Sequence, residues 1–244
     1  MRIHSAMILA AGLGTRMRPI TETVPKPLVE VGGKPLIAYS LEALHEIGIS
    51  SIVANVHYLA PVLVDWLSGW SRADVVISDE SDELLDSGGG VAKALPLLGN
   101  DPFFVMNADT FWCEDPAAGR SNLARMAEDF DPARMDILML TARPDQATGH
   151  TGRGDFTIDA DRRLARFTGS GEPVIYAGTL IMSPHILGSL TERRFSLNRC
   201  FDAAIAGGRL FAAPLTGHWL TVGTPEAIGE AESAMADYAN GRPS

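Results

Sequence analysis

Short apolar runs alternate with helix-like apolar spacing through the first half of the chain. The apolar runs predict buried strands at residues 6–10, 51–56, 75–78 and 103–106. Between them, apolar residues three and four positions apart predict helices at residues 36–47, 61–66 and 91–98. This order is typical of a parallel sheet with helices on both faces and right-handed crossovers.

The second half has a different pattern. Strands are predicted at residues 136–141, 154–158, 164–167, 174–182 and 210–213, and helices at residues 184–190, 197–206 and 225–238. The strands between residues 154 and 182 follow one another without long helices, which predicts antiparallel additions to the sheet. We therefore expect a single α/β domain at residues 1–240, with a Rossmann-like, mixed and mainly parallel sheet, and a frayed tail at 241–244.

Composition narrows the possible partners. The hydrophobic fraction of 46% excludes a disordered chain, and no apolar run reaches the ~18 residues of a membrane span. The 244 residues include 20 lysines and arginines against 30 acids, a formal charge of −10, which argues against nucleic-acid and anionic-membrane partners. Cys113 and Cys200 lie far apart and form no paired motif, which indicates a cytoplasmic protein. A phosphate ligand would have to be held by local groups.

The glycine loop after the first predicted strand is such a local device. It has the sequence LAAGLGTRMRP at residues 9–19. Backbone N–H groups of a Gly-x-Gly-Thr turn can surround an anion. Met17 replaces the third glycine of a dinucleotide fingerprint, and Gly14 is followed by Thr15-Arg16 where a Walker loop has lysine and then serine or threonine, so the loop is of neither type. Arg16, with Lys26 between two prolines, suits a triphosphate that will lose pyrophosphate, and the alternative is an ordinary turn with surface cations.

This loop, together with PKPL at residues 25–28, resembles the signature of the sugar-1-phosphate nucleotidyltransferases. The resemblance continues along almost the whole chain, through DSGGG at 86–90, MNAD at 106–109, GRGDF at 152–156, YAG at 176–178 and GHWLTVGT at 217–224. Within that family, the short chain, the triple glycine and HTGRGDF are most similar to the N-acetylmuramate-1-phosphate uridylyltransferases of cell-wall peptidoglycan recycling.

The resemblance implies the nucleotide-diphospho-sugar transferase fold, with a nucleotide-binding half at about 1–110 and a sugar-binding half at about 111–240. It implies Mg²⁺-dependent transfer of a nucleotidyl group from a nucleoside triphosphate, expected to be UTP, to a sugar 1-phosphate, with release of pyrophosphate. The alternatives are a mannose- or heptose-1-phosphate guanylyltransferase, another nucleotide and sugar pair, or a non-catalytic regulator that binds a sugar nucleotide. The oligomeric state is not predicted.

The expected catalytic residues are Arg16, Lys26 and Asp109. Asp109 follows a predicted strand, where a carboxylate can bind Mg²⁺, although a loop acid or helix cap is the usual use of such a residue. By resemblance, a second metal-binding aspartate should stand at position 221, which is Thr221 here. Either Asp109 and the phosphates hold the metal, or another acid replaces the aspartate, or activity is lost. We expect an active enzyme with a modified metal site.

The resemblance also assigns ligand contacts. The expected nucleotide-binding residues are Leu9, Ala10, Ala11, Gly12, Gly14, Thr15, Arg16, Lys26, Glu83, Ser87, Gly88 and Gly89. Ser87, Gly88 and Gly89 lie at the start of a helix, where backbone that carries little side chain could contact the base or the ribose. The alternative for Ser87 is that it caps the helix. Several acids are clustered here, at Asp79, Glu80, Asp82, Glu83 and Asp86, and most of them are expected to be solvated. The expected sugar-binding residues are Asn107, Gly154, Asp155, Tyr176 and Gly178, and Arg153 is a candidate for the sugar phosphate.

Overall fold

The computed structural model describes residues 3–188 and 190–241, which contain fourteen strands and six α-helices. The strands are β1 (Ser5–Leu9), β2 (Glu30–Val31), β3 (Lys34–Pro35), β4 (Ser51–Val56), β5 (Asp74–Asp79), β6 (Phe103–Asn107), β7 (Thr110–Glu114), β8 (Ile137–Ala142), β9 (Ala147–Thr148), β10 (Phe156–Ile158), β11 (Leu164–Arg166), β12 (Pro173–Met182), β13 (Leu210–Pro214) and β14 (Gly217–Thr221). The helices are α1 (Leu36–Glu46), α2 (Ala60–Ser68), α3 (Asp86–Leu98), α4 (Asn122–Asp129), α5 (Asn198–Ala206) and α6 (Glu226–Ala239).

Nine strands form the main sheet. Its order is β11-β10-β12-β6-β1-β4-β5, with β8 beside β12 and β13 beside β8. β1 pairs in parallel with β4 and β6, and β4 in parallel with β5, which confirms the predicted parallel first half. β12 is antiparallel to β6, β8 and β10, and β10 to β11, which confirms the predicted antiparallel additions.

Helices cover both faces of this sheet, as predicted. Alternate residues of β1 point to opposite faces. Ala6 and Ile8 belong to a buried apolar cluster with residues of α1, α2 and α4. Met7 belongs to a second cluster with residues of α3 and α5. The carboxyl ends of the parallel strands therefore emerge between two helical layers, where an open sheet forms its ligand cleft.

Several elements differ from the sequence prediction. β7, β14 and α4 were not predicted, and β7, β14 and β9 form a small sheet whose apolar residues pack against α6. The helix predicted at 184–190 is a short 3-10 helix, Pro184–Leu187, and Ser189 lies outside the described residues, as does 242–244 of the predicted tail. α3 begins at Asp86, five residues before the predicted start, so the three glycines are helical. In the described ranges, no helix is long and apolar enough to cross a membrane.

Candidate active site

The glycine loop leaves the carboxyl end of β1. Gly14 adopts a φ of 62°, and a Cβ there would lie 3.0 Å from both Cβ of Lys26 and Cγ2 of Thr21. Thr21 fixes the turn by donating its hydroxyl to the carbonyl oxygen of Gly14 at 2.7 Å. A side chain at position 14 would strain this turn and push it away from Lys26, whereas the space around Gly12 is open.

A buried polar chain anchors the start of the loop. The N–H of Ala10 donates to Oδ1 of Asn55 at 2.7 Å, and Nδ2 of Asn55 donates to Oε1 of Glu80 at 2.6 Å. The other carboxylate oxygen of Glu80 accepts from the N–H of Leu85 at 3.0 Å. Asn55 and Glu80 are both buried, so Glu80 is an exception to the expectation that most acids of this cluster are solvated. These bonds tie the loop to the residue that precedes α3.

The triple glycine lies in the first turns of α3, buried against the segment of residues 193–197. The N–H groups of Gly88 and Gly89 both donate to the carbonyl oxygen of Phe195, at 2.9 and 3.0 Å. A Cβ on Gly88 would lie 2.4 Å from the Phe195 ring, and one on Gly89 would lie 2.4 Å from the carbonyl oxygen of Arg193. The glycines therefore allow two backbone segments to pack closely, and these N–H groups bind protein.

Ser87 and Glu83, which were both expected to bind the nucleotide, contact protein groups of the 193–197 segment. Ser87 lies within α3 rather than at its N-cap, so the alternative of a capping residue is wrong. The Ser87 hydroxyl accepts from the N–H of Leu197 at 3.0 Å, which further fixes the 193–197 segment. Glu83 forms an ion pair with Arg193, in which Nε and Oε2 are 3.2 Å apart and both side chains are exposed.

These elements enclose a cleft of about 490 Å³. The predicted site residues that line it are Leu9, Ala10, Ala11, Gly12, Gly14, Thr15, Arg16, Lys26, Ser87, Asn107 and Asp109. Residues outside the predicted set also line it: Leu13, Pro27, Asn55, Glu80, Leu84, Asp86, Ala108, Arg194 and Gly223. Glu83, Gly88 and Gly89 do not line it. Arg194 adds a positive charge to the cleft. The sequence signal that could have pointed to it is the pair of adjacent arginines, Arg193-Arg194.

The three expected catalytic residues meet in this cleft. Lys26 lies on a 3-10 helix, Lys26–Leu28, and Asp109 follows β6. Nζ of Lys26 is ion-paired with Oδ2 of Asp109, with 12% of the lysine side chain exposed against 33% of the aspartate. The Arg16 guanidinium packs against Gly223, where a Cβ would lie 3.4 Å from Nη1 and Nη2. Two cations from one motif and a carboxylate 83 positions after Lys26 thus surround one space.

Thr221 ends β14 opposite Thr110 of β7. The next residue, Val222, donates its N–H to the carbonyl oxygen of Asp109 at 3.1 Å, so position 221 is adjacent to the Asp109 backbone. Within the described residues, no three histidine, cysteine, aspartate or glutamate side chains form a group that could hold a metal ion. Mg²⁺ binds proteins through one or two carboxylates and completes its shell with water and phosphate oxygens. Asp109 therefore fits a Mg²⁺ ion bound together with a triphosphate.

A second cavity of about 260 Å³ adjoins the cleft. Ser87 and Asn107 line both cavities. Its other lining residues are Asp155, Phe156, Arg166, Tyr176, Ser196, Leu197, Asn198 and Phe201. Three residues predicted to bind the sugar, Asn107, Asp155 and Tyr176, are thus brought together here. The segment 194–198 contributes to both cavities and joins them.

Tyr176 carries a buried polar atom without a hydrogen-bond partner among the described residues. Its N–H donates to Oδ2 of Asp155 at 2.9 Å. The Tyr176 hydroxyl is buried and has no hydrogen-bond partner in the described part of the chain. Burial raises the pKa of this phenol, and the negative charge of Asp109 raises it further. The hydroxyl therefore stays protonated, and the residue that carries it lines the second cavity.

The remaining predicted sugar contacts lie outside this lining. Gly154 and Gly178 have φ values of 113° and 75°. A Cβ on Gly154 would lie 2.5 Å from Cβ of Pro173, and one on Gly178 would lie 2.2 Å from Oγ1 of Thr110. These glycines allow close packing beside the cavity. Arg153 is exposed and lines neither cavity.

Comparisons with known proteins agree with this arrangement. A family model described as nucleotidyl transferase matches residues 5–172. The N-acetylmuramate alpha-1-phosphate uridylyltransferase of Caulobacter vibrioides is 39% identical, with 95% of this chain and 97% of that protein covered. The protein of the same name from Neisseria meningitidis serogroup B is 33% identical, with 93% and 96% covered.

A solved structure has the same fold. The crystal structure of HddC from Yersinia pseudotuberculosis is 25% identical and has a TM-score of 0.74, with 96% of this chain and 100% of that chain covered. Together with the sheet topology, this likeness confirms the predicted nucleotide-diphospho-sugar transferase fold.

Proposed function

Because the chain belongs to the nucleotidyl transferase family, we propose that it transfers the uridylyl group of UTP to N-acetylmuramic acid 1-phosphate and releases pyrophosphate. The product would be a nucleotide sugar for cell-wall recycling. The names of the Caulobacter and Neisseria relatives support this substrate pair. The observation that carries the proposal is the pair of adjoining cavities, which share Ser87 and Asn107 and have Lys26 and Asp109 in the larger one.

In this proposal the triphosphate lies along the glycine loop. Backbone N–H groups of residues 12–16 would donate to its oxygens, and Arg16, Lys26 and Arg194 would balance its charge. The sugar 1-phosphate occupies the second cavity, where the Tyr176 hydroxyl donates to it. The carboxylate of Asp155 accepts hydrogen bonds from sugar hydroxyls, since only one of its oxygens is bonded to the Tyr176 N–H.

The reaction is one displacement at the α-phosphorus. An oxygen of the sugar phosphate forms a bond to that phosphorus, and the bond to the oxygen that bridges the α- and β-phosphates breaks. The electron pair of the broken bond leaves with pyrophosphate. Because the attacking oxygen is already an anion, no general base is required, and the protein contributes position and positive charge.

In this proposal Lys26 and Asp109 have different electrostatic roles, one toward the phosphates and one toward the metal ion. Lys26 stabilises negative charge that develops on the transferred phosphate and the leaving pyrophosphate. Asp109 would hold Mg²⁺ together with phosphate oxygens and water. When bound, Mg²⁺ would add positive charge at the phosphates. With a neutral threonine at position 221, Asp109 is the carboxylate that we assign to this task.

We place the reaction in the cytoplasm, where nucleoside triphosphates are supplied. Cys113 and Cys200 are both free thiols, which is typical of a reducing compartment. The charge of −10 also argues against a nucleic-acid partner.

A pyrophosphate-release assay tests the proposal, with each of the four common nucleoside triphosphates paired with a panel of sugar 1-phosphates. We expect the highest kcat/KM with UTP and N-acetylmuramic acid 1-phosphate, and loss of activity with a chelator or in Asp109→Asn. Release with GTP and mannose 1-phosphate alone would keep the reaction class and overturn the substrate pair. No release from any pair would overturn catalysis and favour a sugar-nucleotide-binding regulator.

A further inference from the structure

Arg166 is held rigidly in the wall of the second cavity. Its guanidinium lies over the rings of Phe156 and Phe201, with its carbon 4.8 and 5.9 Å from the ring centroids. Nε donates to Oδ1 of Asp202 at 2.9 Å, and Nη2 donates to Oδ1 of Asn198 at 2.9 Å. Nη1 has no hydrogen-bond partner among the residues that the structure describes. The guanidinium is therefore oriented by the protein and has one nitrogen left for a ligand.

The surroundings favour an anion at that nitrogen. Arg166 is the cation among the lining residues of this cavity, and 37% of its side chain is exposed. Its partner Asp202 is 63% exposed, so water screens that carboxylate and leaves much of the positive charge available. A planar guanidinium pairs well with a carboxylate, and an arginine that is already oriented loses little rotational freedom on binding.

The position of Arg166 relative to the cleft indicates which part of the ligand it contacts. Asn107, at the end of β6, borders both cavities and marks the phosphate side. Arg166 ends β11, and strands β12 and β10 separate it from β6. Three strand spacings of about 4.8 Å each lie between them. A sugar ring with its phosphate near Asn107 would therefore direct the substituents on its far side towards Arg166.

We infer that Arg166 binds a carboxylate carried by the sugar and thereby selects an acidic sugar 1-phosphate over its neutral counterpart. The inference rests on the proposed function, whose sugar, N-acetylmuramic acid, differs from N-acetylglucosamine by one lactyl ether that ends in a carboxylate. A neutral sugar has no group that needs a cation at this end of the cavity. Asp155, the acid among the lining residues, can accept hydrogen bonds from the hydroxyl groups of either sugar.

The test compares Arg166→Met with the matched variant Arg163→Met. Arg163 also pairs with an aspartate, Asp161, at 2.6 Å and lies 5.6 Å from the ring centroid of Phe211, but it lines neither cavity. Each variant is assayed with N-acetylmuramic acid 1-phosphate and N-acetylglucosamine 1-phosphate, the latter as a competitive inhibitor where it is not turned over. In Arg166→Met we expect KM for the acidic sugar to rise about 10- to 100-fold, with kcat within about threefold.

The inference also requires that affinity for the neutral sugar is unchanged in Arg166→Met, and that Arg163→Met changes neither sugar. Equal weakening of both sugars would overturn it, because Arg166 would then only shape the wall, and so would an unchanged KM for the acidic sugar. A wild-type enzyme that uses only neutral sugars would overturn it while nucleotidyl transfer stands. Should Arg166→Met fail to fold, Arg166→Lys must still raise KM for the acidic sugar alone, since lysine lacks the planar fork.

Discussion

The ammonium group of Lys26 is ion-paired with the carboxylate of Asp109, although 83 positions separate the two residues in the sequence. Lys26 is fixed between Pro25 and Pro27, and Asp109 by its place two residues after the end of β6. Each partner carries the charge that a different ligand requires: Asp109 suits a metal ion, and Lys26 suits a phosphate. A metal-bound triphosphate can therefore replace the ion pair without leaving either charge uncompensated.

Replacing Lys26 by alanine should lower the rate of pyrophosphate release about 100- to 1000-fold, because a positive charge at the reacting phosphates is lost. Lys34→Ala is the control, since Lys34 also pairs with a carboxylate, on Glu42, but lies away from both cavities. Steady-state rates and far-ultraviolet circular dichroism would be measured for both variants. A folded Lys26→Ala protein whose rate stays within tenfold of wild type would remove Lys26 from the mechanism.

The central part of this site was predictable because the residues that form it lie in short, continuous sequence motifs. The glycine loop, Arg16 and Lys26 lie within eighteen residues of each other in one motif, counted from Leu9 to Lys26. Asp109 comes soon after the buried apolar run of β6, and the carboxyl ends of parallel strands meet at one edge of a sheet. Alternation of strands and helices was likewise enough to predict the sheet and its two helical layers.

The supporting contacts were not predictable because they join distant segments. Asn55 and Ala10 are 45 positions apart, and Ser87 and Leu197 are 110 positions apart. Glu80 lies in a run of acids typical of a solvated loop, and only the folded chain shows that its carboxylate is buried beside Asn55. Short strands such as β7 and β14 become strands by pairing with each other, which their composition does not indicate.

Replacing Thr221 by valine should change kcat/KM by less than threefold. Thr221 lines neither cavity, and the contact that links this strand end to Asp109 is the backbone N–H of Val222, which the substitution keeps. Valine also retains the β-branched shape that suits a strand. The check is the Mg²⁺ dependence of the rate in both proteins. A large loss of rate or a weaker Mg²⁺ response, with folding unchanged, would make Thr221 a metal ligand.

Replacing Tyr176 by phenylalanine should separate stability from activity. In the free protein the hydroxyl is buried without a partner in the described chain, so its removal should leave the free energy of unfolding unchanged or raise it by about 1 kcal/mol. Tyr39→Phe is the contrast, because that hydroxyl donates to the carbonyl oxygen of Val31 at 2.7 Å and its loss should cost about 1 kcal/mol. Meanwhile Tyr176→Phe should raise KM for the sugar phosphate.

Tyr176→Phe should also change how the stability of the protein depends on pH. Burial raises the pKa of Tyr176 above the ordinary value of 10.0, so the folded phenol stays protonated where the unfolded one ionises. Stability is therefore complete below that value and falls as the pH rises through it. Chemical denaturation across this range should show a smaller loss in Tyr176→Phe than in wild type. An identical loss in the two proteins would contradict the assignment of a raised pKa to this residue.

Replacing Gly88 by alanine sets two effects of opposite sign against each other. Alanine favours a helix over glycine by about 0.5 to 1 kcal/mol. The new Cβ would lie 2.4 Å from the Phe195 ring and 2.9 Å from its carbonyl oxygen, so the 193–197 segment must move. Such overpacking costs about 1 to 3 kcal/mol, so the clash should exceed the helical gain and lower the free energy of unfolding.

Gly229→Ala in α6 is the matched control, because nothing lies within 4 Å of its added Cβ and only the helical gain remains. Chemical denaturation should therefore shift in opposite directions for the two alanine variants. Since the segment at 194–198 joins the two cavities, Gly88→Ala should also raise KM for both substrates, while Gly229→Ala leaves both unchanged. A Gly88→Ala protein as stable as Gly229→Ala, with wild-type KM values, would mean that the segment moves freely and that the triple glycine does not position it.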